Sequence, residues 1–354
     1  MQLGLVGLPQ SGKTTVFNAL TGSQVPLTMT GTRFEVHTAV VDVPDPRVDA
    51  LAERFRSRKR TYAKVTYADI AGLSGQAGGE LPGPLRNLLG QMDALVHVVR
   101  AFDNPQAPHP AGTVDPARDI AALDQELLLH DLLTVERRLA RLAEERQKGA
   151  RPKDVLVREQ ALFERLRTAL EQGQPLRALD FTPEEDRLLA GFGLLTRKPM
   201  LVLFNIGDED APPTWTTDLP RTRVAALRGR LEMELAQMDP EDAAYFRTEY
   251  GLAESALERI VRESYELLER ITFYTVGEKE ARAWPLPRGS TAVDAAAAIH
   301  TDLARGFIRA EVIHYDVLMA LGDWAAARAA GKIRLEGKDY VVQDGDVMLI
   351  RFAT

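Results

Sequence analysis

The sequence predicts an α/β fold: a mostly parallel sheet interrupted by two long helices and followed by a smaller α+β unit. Three observations lead to this prediction. A glycine-rich loop separates a short apolar run near the start from a segment with helical spacing. Further apolar runs at residues 93–102 and 199–204 are typical of buried parallel strands. The pattern changes to long charged helices near Asp115, and to short strands and turns from Phe273.

Length and composition set the limits of this prediction. A chain of 354 residues exceeds the usual size of a single core, so two or three domains are expected. The absence of cysteine excludes disulfides, thiolate zinc sites and cysteine nucleophiles. A net charge of −7 gives no general support for nucleic-acid binding, although a local basic face could still provide it. No apolar run approaches the roughly 20 residues of a membrane span. The first strand begins directly after Met1, so a cytoplasmic protein without membrane contact is predicted.

The most informative stretch is residues 7–15, which fits the phosphate-binding pattern G-x-x-x-x-G-K-[ST] between a strand and a helix. Gly7 and Gly12 let the backbone turn so that several N–H groups face one anion. Lys13 is predicted to reach the terminal phosphates, and Thr14 to place its hydroxyl on Mg²⁺. The predicted nucleotide contacts are Gly7, Pro9, Gln10, Ser11, Gly12, Lys13, Thr14 and Thr15.

A polar, turn-rich stretch follows the first helix and leads into a predicted strand at residues 34–41. In nucleotide switches this stretch contributes a threonine to Mg²⁺ and folds over the γ-phosphate. Thr32 is the first candidate and Thr30 the second. The alternative, that both are ordinary loop threonines, has equal weight.

A second phosphate-sensing segment is predicted at D-x-x-G, residues 69–72, after a strand at residues 62–68. Asp69 would hold Mg²⁺ through water, and the N–H of Gly72 would sense the γ-phosphate beside Lys13. Ras-like enzymes carry a glutamine after this glycine to orient the attacking water. Leu73 stands there instead and can neither donate nor accept a hydrogen bond. Any hydrolysis must therefore use another group or the substrate's own phosphate.

No general base can be named from the sequence. Gln76 and His37 are nearby but weak candidates. His97 lies inside the apolar run 93–102, and it is predicted to be a packed or hydrogen-bonded core histidine rather than a ligand.

Two long charged helices are predicted at residues 120–146 and 155–172, with leucines on one face and a Gly and Pro between them. This pattern indicates an antiparallel hairpin. Its basic tip could contact RNA phosphates. The favoured alternative is a solvated charged face. The basic residues are Arg137, Arg138, Arg141, Arg146, Lys148, Arg151, Lys153 and Arg158.

The strand at residues 199–204 ends in Asn205-Ile206-Gly207-Asp208. GTPases carry N-K-x-D at this strand end, where the aspartate accepts two guanine protons and the lysine packs over the base. Asn205 and Asp208 stand at the right interval, but Ile206 replaces the lysine. These three residues are predicted to lie at the base without defining a preference for guanine.

The predicted domains are a nucleotide-binding domain (residues 1–114 and 196–272), a helical insert (115–195) and a C-terminal domain (273–354). The last has predicted strands at 281–286, 332–335, 340–342 and 347–352, with a crossing helix at 292–300. It contains no catalytic constellation, so a binding module is predicted.

The chain resembles the YchF-type, or Obg-like ATPase, family of translation-factor-class P-loop proteins over nearly its whole length. The segments that carry the resemblance are 7–9 with Gly12-Lys13, 43–47, 69–73, 300–302, 306–312 and 335–347.

The resemblance implies a P-loop domain interrupted by a helical hairpin and followed by a TGS domain, a ubiquitin-like sheet associated with RNA or ribosome binding. It also implies slow hydrolysis, with an apolar residue in the position of Leu73. Family members usually prefer ATP and carry N-x-x-E where this chain has residues 205–208. Because Asp208 is shorter than glutamate and is what guanine readers use, the choice between ATP and GTP stays open.

The chain departs from the family pattern at the nucleotide. Gln10-Ser11 stand where Asn-Val is usual, the first switch lacks the family's Pro-Phe-x-Thr pattern, and the loop after Leu73 is shorter. The leading prediction is a slow, ATP-preferring, Mg²⁺-dependent nucleotidase that acts as a ribosome-associated switch. The alternatives are a non-hydrolysing RNA- or ribosome-binding module and a true GTPase.

Overall fold

The computed structural model describes residues 1–27, 36–70, 81–149, 151–252 and 254–353. The chain divides into two compact units. The first unit contains residues 1–40 and 66–263, and the second contains residues 41–65 and 264–354. None of the helices in the described ranges is long and apolar enough to span a membrane.

The strands of the described chain form two six-stranded sheets. They are β1 (Gln2–Val6), β2 (Val36–Asp42), β3 (Lys59–Thr61), β4 (Lys64–Ile70), β5 (Ala94–Ala101), β6 (Met200–Ile206), β7 (Thr222–Leu227), β8 (Arg270–Val276), β9 (Glu280–Pro287), β10 (Phe307–His314), β11 (Arg334–Glu336) and β12 (Asp346–Phe352).

The described chain contains thirteen α-helices. They are α1 (Lys13–Thr21), α2 (Pro46–Arg54), α3 (Gly83–Gln91), α4 (Pro116–Lys148), α5 (Lys153–Glu171), α6 (Pro183–Leu189), α7 (Gly229–Ala236), α8 (Pro240–Glu249), α9 (Ala256–Leu267), α10 (Ala292–Ile299), α11 (Thr301–Arg305), α12 (Tyr315–Leu321) and α13 (Trp324–Ala329). Short 3₁₀ turns cover Leu176–Ala178 and Ala190–Phe192.

The first sheet has the order β2-β4-β1-β5-β6-β7, and the five strands from β4 to β7 run parallel. Its central strands β5 and β6 are buried along almost their whole length because both faces are covered. The carboxyl ends of β1, β4 and β6 therefore meet at one edge, where ligands of open α/β sheets bind. The predicted P-loop fold with a mostly parallel sheet is confirmed.

The helical insert is an antiparallel pair formed by α4 and α5, with a buried seam that includes Val135, Leu142 and Phe163. Helix α4 begins at Pro116, earlier than predicted, because the side chain of Asp115 caps it by accepting from the Arg118 N–H. The insert lies within the first unit.

One buried carboxylate joins α4 to the chain that enters β6. Asp131 is fully buried and accepts from the N–H groups of Leu195 and Thr196 at 2.8 and 2.7 Å. It also accepts from the Thr196 hydroxyl at 2.6 Å. Three hydrogen bonds to one ionisable group fix this helix in register with the sheet.

The second sheet has the order β11-β10-β12-β8-β9-β3. Helix α10 packs its alanine face against it, where Ala292 and Ala296 lie in one core with Phe273 and Val312. This α+β architecture confirms the predicted C-terminal fold.

Residues 41–65 differ from the domain prediction, which placed them with the nucleotide-binding domain. In the structure they belong to the second unit, because Val48 and Leu51 of α2 pack with Tyr274 and Ala281. Strand β3 also pairs with β9, far away in sequence. A charged three-residue strand carries no local signal of that pairing.

Two strands of the second unit were predicted incorrectly. Residues 340–342 are not a strand, and only Val341 forms a single bridge, with Thr291. Strand β10 was not predicted, although it lies between β11 and β12. A register shift between Phe307 and Arg309 interrupts its alternation of buried and exposed residues, which removes the period-two signal.

Candidate nucleotide-binding site

The loop of residues 7–12 connects β1 to α1, which confirms the strand, loop and helix order. Gly7 and Gly12 have positive φ values of 153° and 87°. A Cβ at Gly7 would collide with the carbonyl oxygen of Val98, and one at Gly12 with the Asn205 amide nitrogen. Only glycine fits at these two positions, so the loop can lie against both neighbours.

Lys13 bends back over this loop. Its Nζ donates to the carbonyl oxygens of Gly7 and Leu8, both at 3.0 Å. Burial lowers the pKa of the amine to about 8, and the charge of Asp69 opposes that shift. A partly desolvated ammonium at the first turn of a helix attracts phosphate more strongly than a hydrated one.

The two predicted Mg²⁺ residues meet at this helix start. The Thr14 hydroxyl donates to Oδ2 of Asp69 at 2.7 Å, and Asp69 lies buried near the end of β4. Hydroxyl and carboxylate oxygens are the hard ligands that Mg²⁺ prefers, and the ion usually needs only one or two from the protein beside phosphate and water. The pair therefore fits a magnesium site.

Several predicted residues lie outside the described part of the chain: Thr30, Thr32, Gly72, Leu73 and Gln76. Their roles stay predictions. His37 lies half-buried in β2, the edge strand of the first sheet.

Asn205 connects three parts of the site. Its side chain is buried near the end of β6; Nδ2 donates to the Ser11 carbonyl at 3.1 Å, and Oδ1 accepts from the Gly229 N–H at 3.2 Å. The amide therefore joins the phosphate loop to the first residue of α7. The sequence predicted that Asn205 lies at the site, but it did not predict that Asn205 joins these two segments.

The other two residues predicted at the base have different environments. Ile206 is buried, and its side chain packs in the hydrophobic core of the first unit. Asp208 is exposed on the loop after β6. The hydrogen bond from Arg230 to Glu234, and then the charges of Glu234 and Asp208, raise the pKa of Arg230. Arg230 at the start of α7 thus lies within electrostatic reach of Asp208.

Sequence reasoning missed Arg100, a fully buried guanidinium near the end of β5. It donates to the carbonyl oxygens of Phe102, Ala107 and Gln10 at 3.2, 2.7 and 3.4 Å. It therefore ties the loop after β5 to the phosphate loop. The available signal was a charged residue inside an otherwise apolar strand, which indicates a specific set of partners.

His97 is a packed core residue, as predicted. It lies opposite Val6 and Val202 in the parallel sheet. Neither ring nitrogen has a hydrogen-bond partner in the described chain. Burial, with smaller effects from the charges of Lys13 and Arg177, lowers its pKa to about 3 and keeps the ring neutral.

Fold and site together define a P-loop nucleotide-binding protein. A family model described as 50S ribosome-binding GTPase matches residues 2–135. The model YchF-GTPase_C, described as a protein of unknown function, matches residues 270–353.

Full-length relatives identify the family. Ribosome-binding ATPase YchF of Bacillus subtilis (strain 168) is 38% identical over 369 residues, which cover 99% of this chain and 98% of the relative. Its counterpart in Pasteurella multocida (strain Pm70) is 40% identical over 360 residues, with the same coverage. Obg-like ATPase 1 of Oryza sativa subsp. japonica is 34% identical and covered to 92%. This chain belongs to the YchF family.

A solved structure agrees with this assignment. The Schizosaccharomyces pombe YchF GTPase matches with a TM-score of 0.83 and 32% identity, over 99% of this chain and 97% of that one. The names of these relatives include both ATPase and GTPase, so they do not show whether the bound nucleotide carries adenine or guanine.

Proposed function

We propose that this protein is a slow, Mg²⁺-dependent nucleoside triphosphatase that prefers ATP and acts as a ribosome-associated switch. The observation that carries the proposal is the convergence of Lys13, Thr14 and Asp69 at the start of α1. Relatives named ribosome-binding ATPase support the partner and the reaction. A ribosomal partner would place the protein in the cytoplasm.

The phosphate loop and Lys13 perform the electrostatic part of this reaction. Backbone N–H groups of the loop and the Lys13 ammonium face the charge that builds up on the transferring phosphoryl group. Asn205 and Arg100 bind the loop through the carbonyls of Ser11 and Gln10, so its donors are held in place before nucleotide arrives.

Thr14 and Asp69 would hold Mg²⁺, which neutralises charge on the outer phosphates when it is bound. Leu73 cannot orient the attacking water, so the chain lacks the side chain that accelerates this step in Ras-like enzymes. Hydrolysis is therefore expected to be slow. In the switch, bound nucleotide orders the segments of Thr32 and Gly72, and this changes affinity for the ribosome.

The base preference rests on Asp208 and its surroundings. Guanine recognition needs a carboxylate that accepts two base protons, and Asp208 lies exposed at that position. The core position of Ile206 also leaves no lysine over the base. The missing lysine weighs against guanine, and the relatives named ribosome-binding ATPase favour ATP.

The test is titration of nucleotide-free protein with ATP and GTP in Mg²⁺, followed by measurement of phosphate release. Tighter binding of ATP with slow release is expected. Tighter binding of GTP would show that Asp208 reads guanine, and binding without release would favour a nucleotide-dependent ribosome-binding module.

Lys13→Ala is the matched variant for this titration. It is expected to weaken nucleotide binding at least about a hundredfold, because a desolvated charge–phosphate contact is lost, while the fold remains. Unchanged affinity would contradict the P-loop assignment. Cosedimentation with ribosomes, with and without the preferred nucleotide, tests the switch; equal association in both states would contradict it.

A further inference from the structure

Helix α8 presents an aromatic surface to solvent in the first unit. Tyr245 is 64% exposed, Phe246 is 39% exposed, and Tyr250, which follows the last helical residue, is 53% exposed. The rings of Tyr245 and Phe246 contact each other edge-on, with centroids 5.7 Å apart. Single exposed apolar residues are normal on a protein surface, whereas a contiguous group of large rings indicates an interaction site.

The helix forms because of local signals in the sequence, with little contribution from burial. Asp239 caps it by accepting from the Glu241 N–H, Pro240 occupies the first helical position, and Arg247 lies in the last turn. Ala243 is the buried residue of this helix, and Arg247 is half-buried. Most of the side-chain surface of α8 therefore remains open to a partner.

Carboxylates are interspersed with the rings along this helix. Residues spaced four apart lie in one row on a helical surface. Each aromatic ring is therefore next to at least one acidic side chain. We call the two exposed rows the α8 face. The rows are Glu241, Tyr245, Glu249 and Asp242, Phe246, Tyr250.

The three carboxylates of the α8 face are not neutralised by neighbours. The side chains of Glu241, Asp242 and Glu249 are exposed, and none of them forms an ion pair with another residue in the described ranges. Glu254, shortly after the helix, differs because Arg262 donates to it at 2.7 Å. The α8 face therefore combines apolar rings with free negative charge.

This charge decides between the possible occupants of the face. The phosphates of a nucleic acid or of an anionic membrane would be repelled. A second copy of the chain, joined through the same face by a two-fold axis, would place identical carboxylates opposite each other. Cationic side chains are instead attracted both by the carboxylates and by the faces of the tyrosine rings.

We propose that the α8 face docks a protein segment in which arginine or lysine residues are interspersed with apolar ones. The apolar side chains of the segment would pack against the three rings, and its cations would pair with the carboxylates beside them. Aromatic anchors surrounded by charged side chains are a usual arrangement in specific protein interfaces. The proposal rests on the surface of the first unit and does not depend on nucleotide hydrolysis.

The experiment measures binding of two labelled peptides to the full-length chain by fluorescence anisotropy at several salt concentrations. One peptide carries arginine and leucine at helical spacing, and the other carries glutamine in place of each arginine. Sedimentation equilibrium of the same proteins measures self-association. Circular dichroism and thermal unfolding check that every variant keeps its fold.

The aromatic variant carries Tyr245→Ala with Tyr250→Ala. Alanine has the highest helix propensity, so α8 itself is expected to remain helical. Its control is Ile308→Ala with Leu335→Ala, which removes two side chains that are 58% and 61% exposed in the second unit. The two variants thus differ in where exposed apolar surface is lost.

The charge variant carries Glu241→Gln with Glu249→Gln and keeps all three rings. Its control is Glu144→Gln with Glu184→Gln, which removes the same charge from exposed positions on α4 and α6. Both proteins have the same net charge, so a difference between them reports the position of the carboxylates.

The aromatic variant is expected to bind the arginine peptide at least about tenfold more weakly than its control, because two anchoring rings are lost. The charge variant should bind it about fivefold more weakly than its control at low salt, and this difference should disappear at high salt. The unaltered protein should bind the glutamine peptide at least about tenfold more weakly than the arginine peptide.

Equal affinities of the aromatic variant and its control would overturn the proposal, as would equal affinities of the charge variant and its control at low salt. Failure of the unaltered protein to bind the arginine peptide, or equal binding of both peptides, would overturn it as well. Self-association of the unaltered chain that is lost in the aromatic variant would assign the α8 face to a second copy instead.

Discussion

At the scale of single residues, the site depends on how Lys13 is solvated. The amine lies over the loop carbonyls, and burial lowers its pKa to about 8, from 10.5 for an exposed lysine. Bound phosphate would favour the charged form and raise the pKa again. The protonation state of this residue is therefore linked to nucleotide binding.

Nucleotide affinity is expected to fall as the pH rises above about 8. Below this pH, Lys13 is charged both with and without nucleotide, so affinity is flat. Above it, binding must take up a proton and weakens by up to about tenfold per pH unit. Equilibrium titrations from about pH 7 to about pH 9.5 measure this slope, and Lys13→Ala should show a weak and flat profile. A flat profile for the unaltered protein would contradict the lowered pKa.

The lowered pKa of Lys13 also makes the free energy of unfolding depend on pH. Without nucleotide, the folded protein loses the Lys13 proton near pH 8, whereas the unfolded chain keeps it up to 10.5. The unfolded state binds more protons across that window, so this group makes folding more favourable as the pH rises from about 8 to 10.5.

The sequence predicted which motif residues come together, and it missed residues that support the loop through buried hydrogen bonds. Lys13, Thr14 and Asp69 follow from motifs, because the strand ends that carry them must meet at one edge of a parallel sheet. Arg100 belongs to no motif. Its importance comes from three carbonyl partners, which only the folded chain brings together.

At the scale of secondary-structure elements, Asn205 joins β6 to the phosphate loop and to α7. Gly229, the first residue of α7, gives it room, since a Cβ there would collide with the Asn205 amide oxygen. A position remote from the phosphate loop in sequence is therefore part of its support.

Gly229→Ala is expected to weaken nucleotide binding about tenfold, because the added methyl displaces Asn205 and breaks its bond to the Ser11 carbonyl. Binding titrations of Gly229→Ala, Asn205→Ala and the double variant form a double-mutant cycle. The double variant should bind like Asn205→Ala alone, since the collision partner is gone.

Gly337→Ala is the control for that cycle, because a Cβ at Gly337 meets no atom within 4 Å. Its affinity should be unchanged. Additive losses in the cycle would show that Gly229 acts independently of Asn205.

Elements were predicted well where a long periodic pattern exists, and poorly where pairing depends on distant partners. The helices of the insert follow from their leucine spacing. Helix α4 begins four residues earlier than predicted, at its Asp115 cap, and the other three boundaries lie within two residues of the prediction. Strand β3 could not be predicted, since a charged three-residue segment becomes a strand only beside β9.

At the scale of the whole molecule, the chain builds two cores. Leu203 of β6 is fully buried in the first unit, and Leu51 of α2 is fully buried in the second. Leu51 precedes most of the first unit in sequence, yet it packs with residues from the C-terminal part. Sequence order therefore does not indicate which core a residue stabilises.

Leu51→Ala is expected to destabilise the second unit by about 3 kcal/mol through the cavity that it leaves. Slowly exchanging amides in β8 and β9 should then exchange about a hundredfold faster, with those in β5 and β6 unchanged. Hydrogen exchange measures both sets at once. Leu203→Ala is the control in the first unit, and it should accelerate exchange in β5 and β6 while β8 and β9 stay unchanged. Faster exchange in β5 alone after Leu51→Ala would contradict the assignment of α2 to the second unit.

The second unit is encoded by two separated stretches of the gene, because residues 41–65 belong to it. A recombination event confined to the 3′ end therefore transfers only part of this unit. A transferred 3′ segment would arrive without α2 and β3, and its core would lack Val48, Leu51 and Ala63. Such a segment is therefore expected to encode a less stable unit than the complete one.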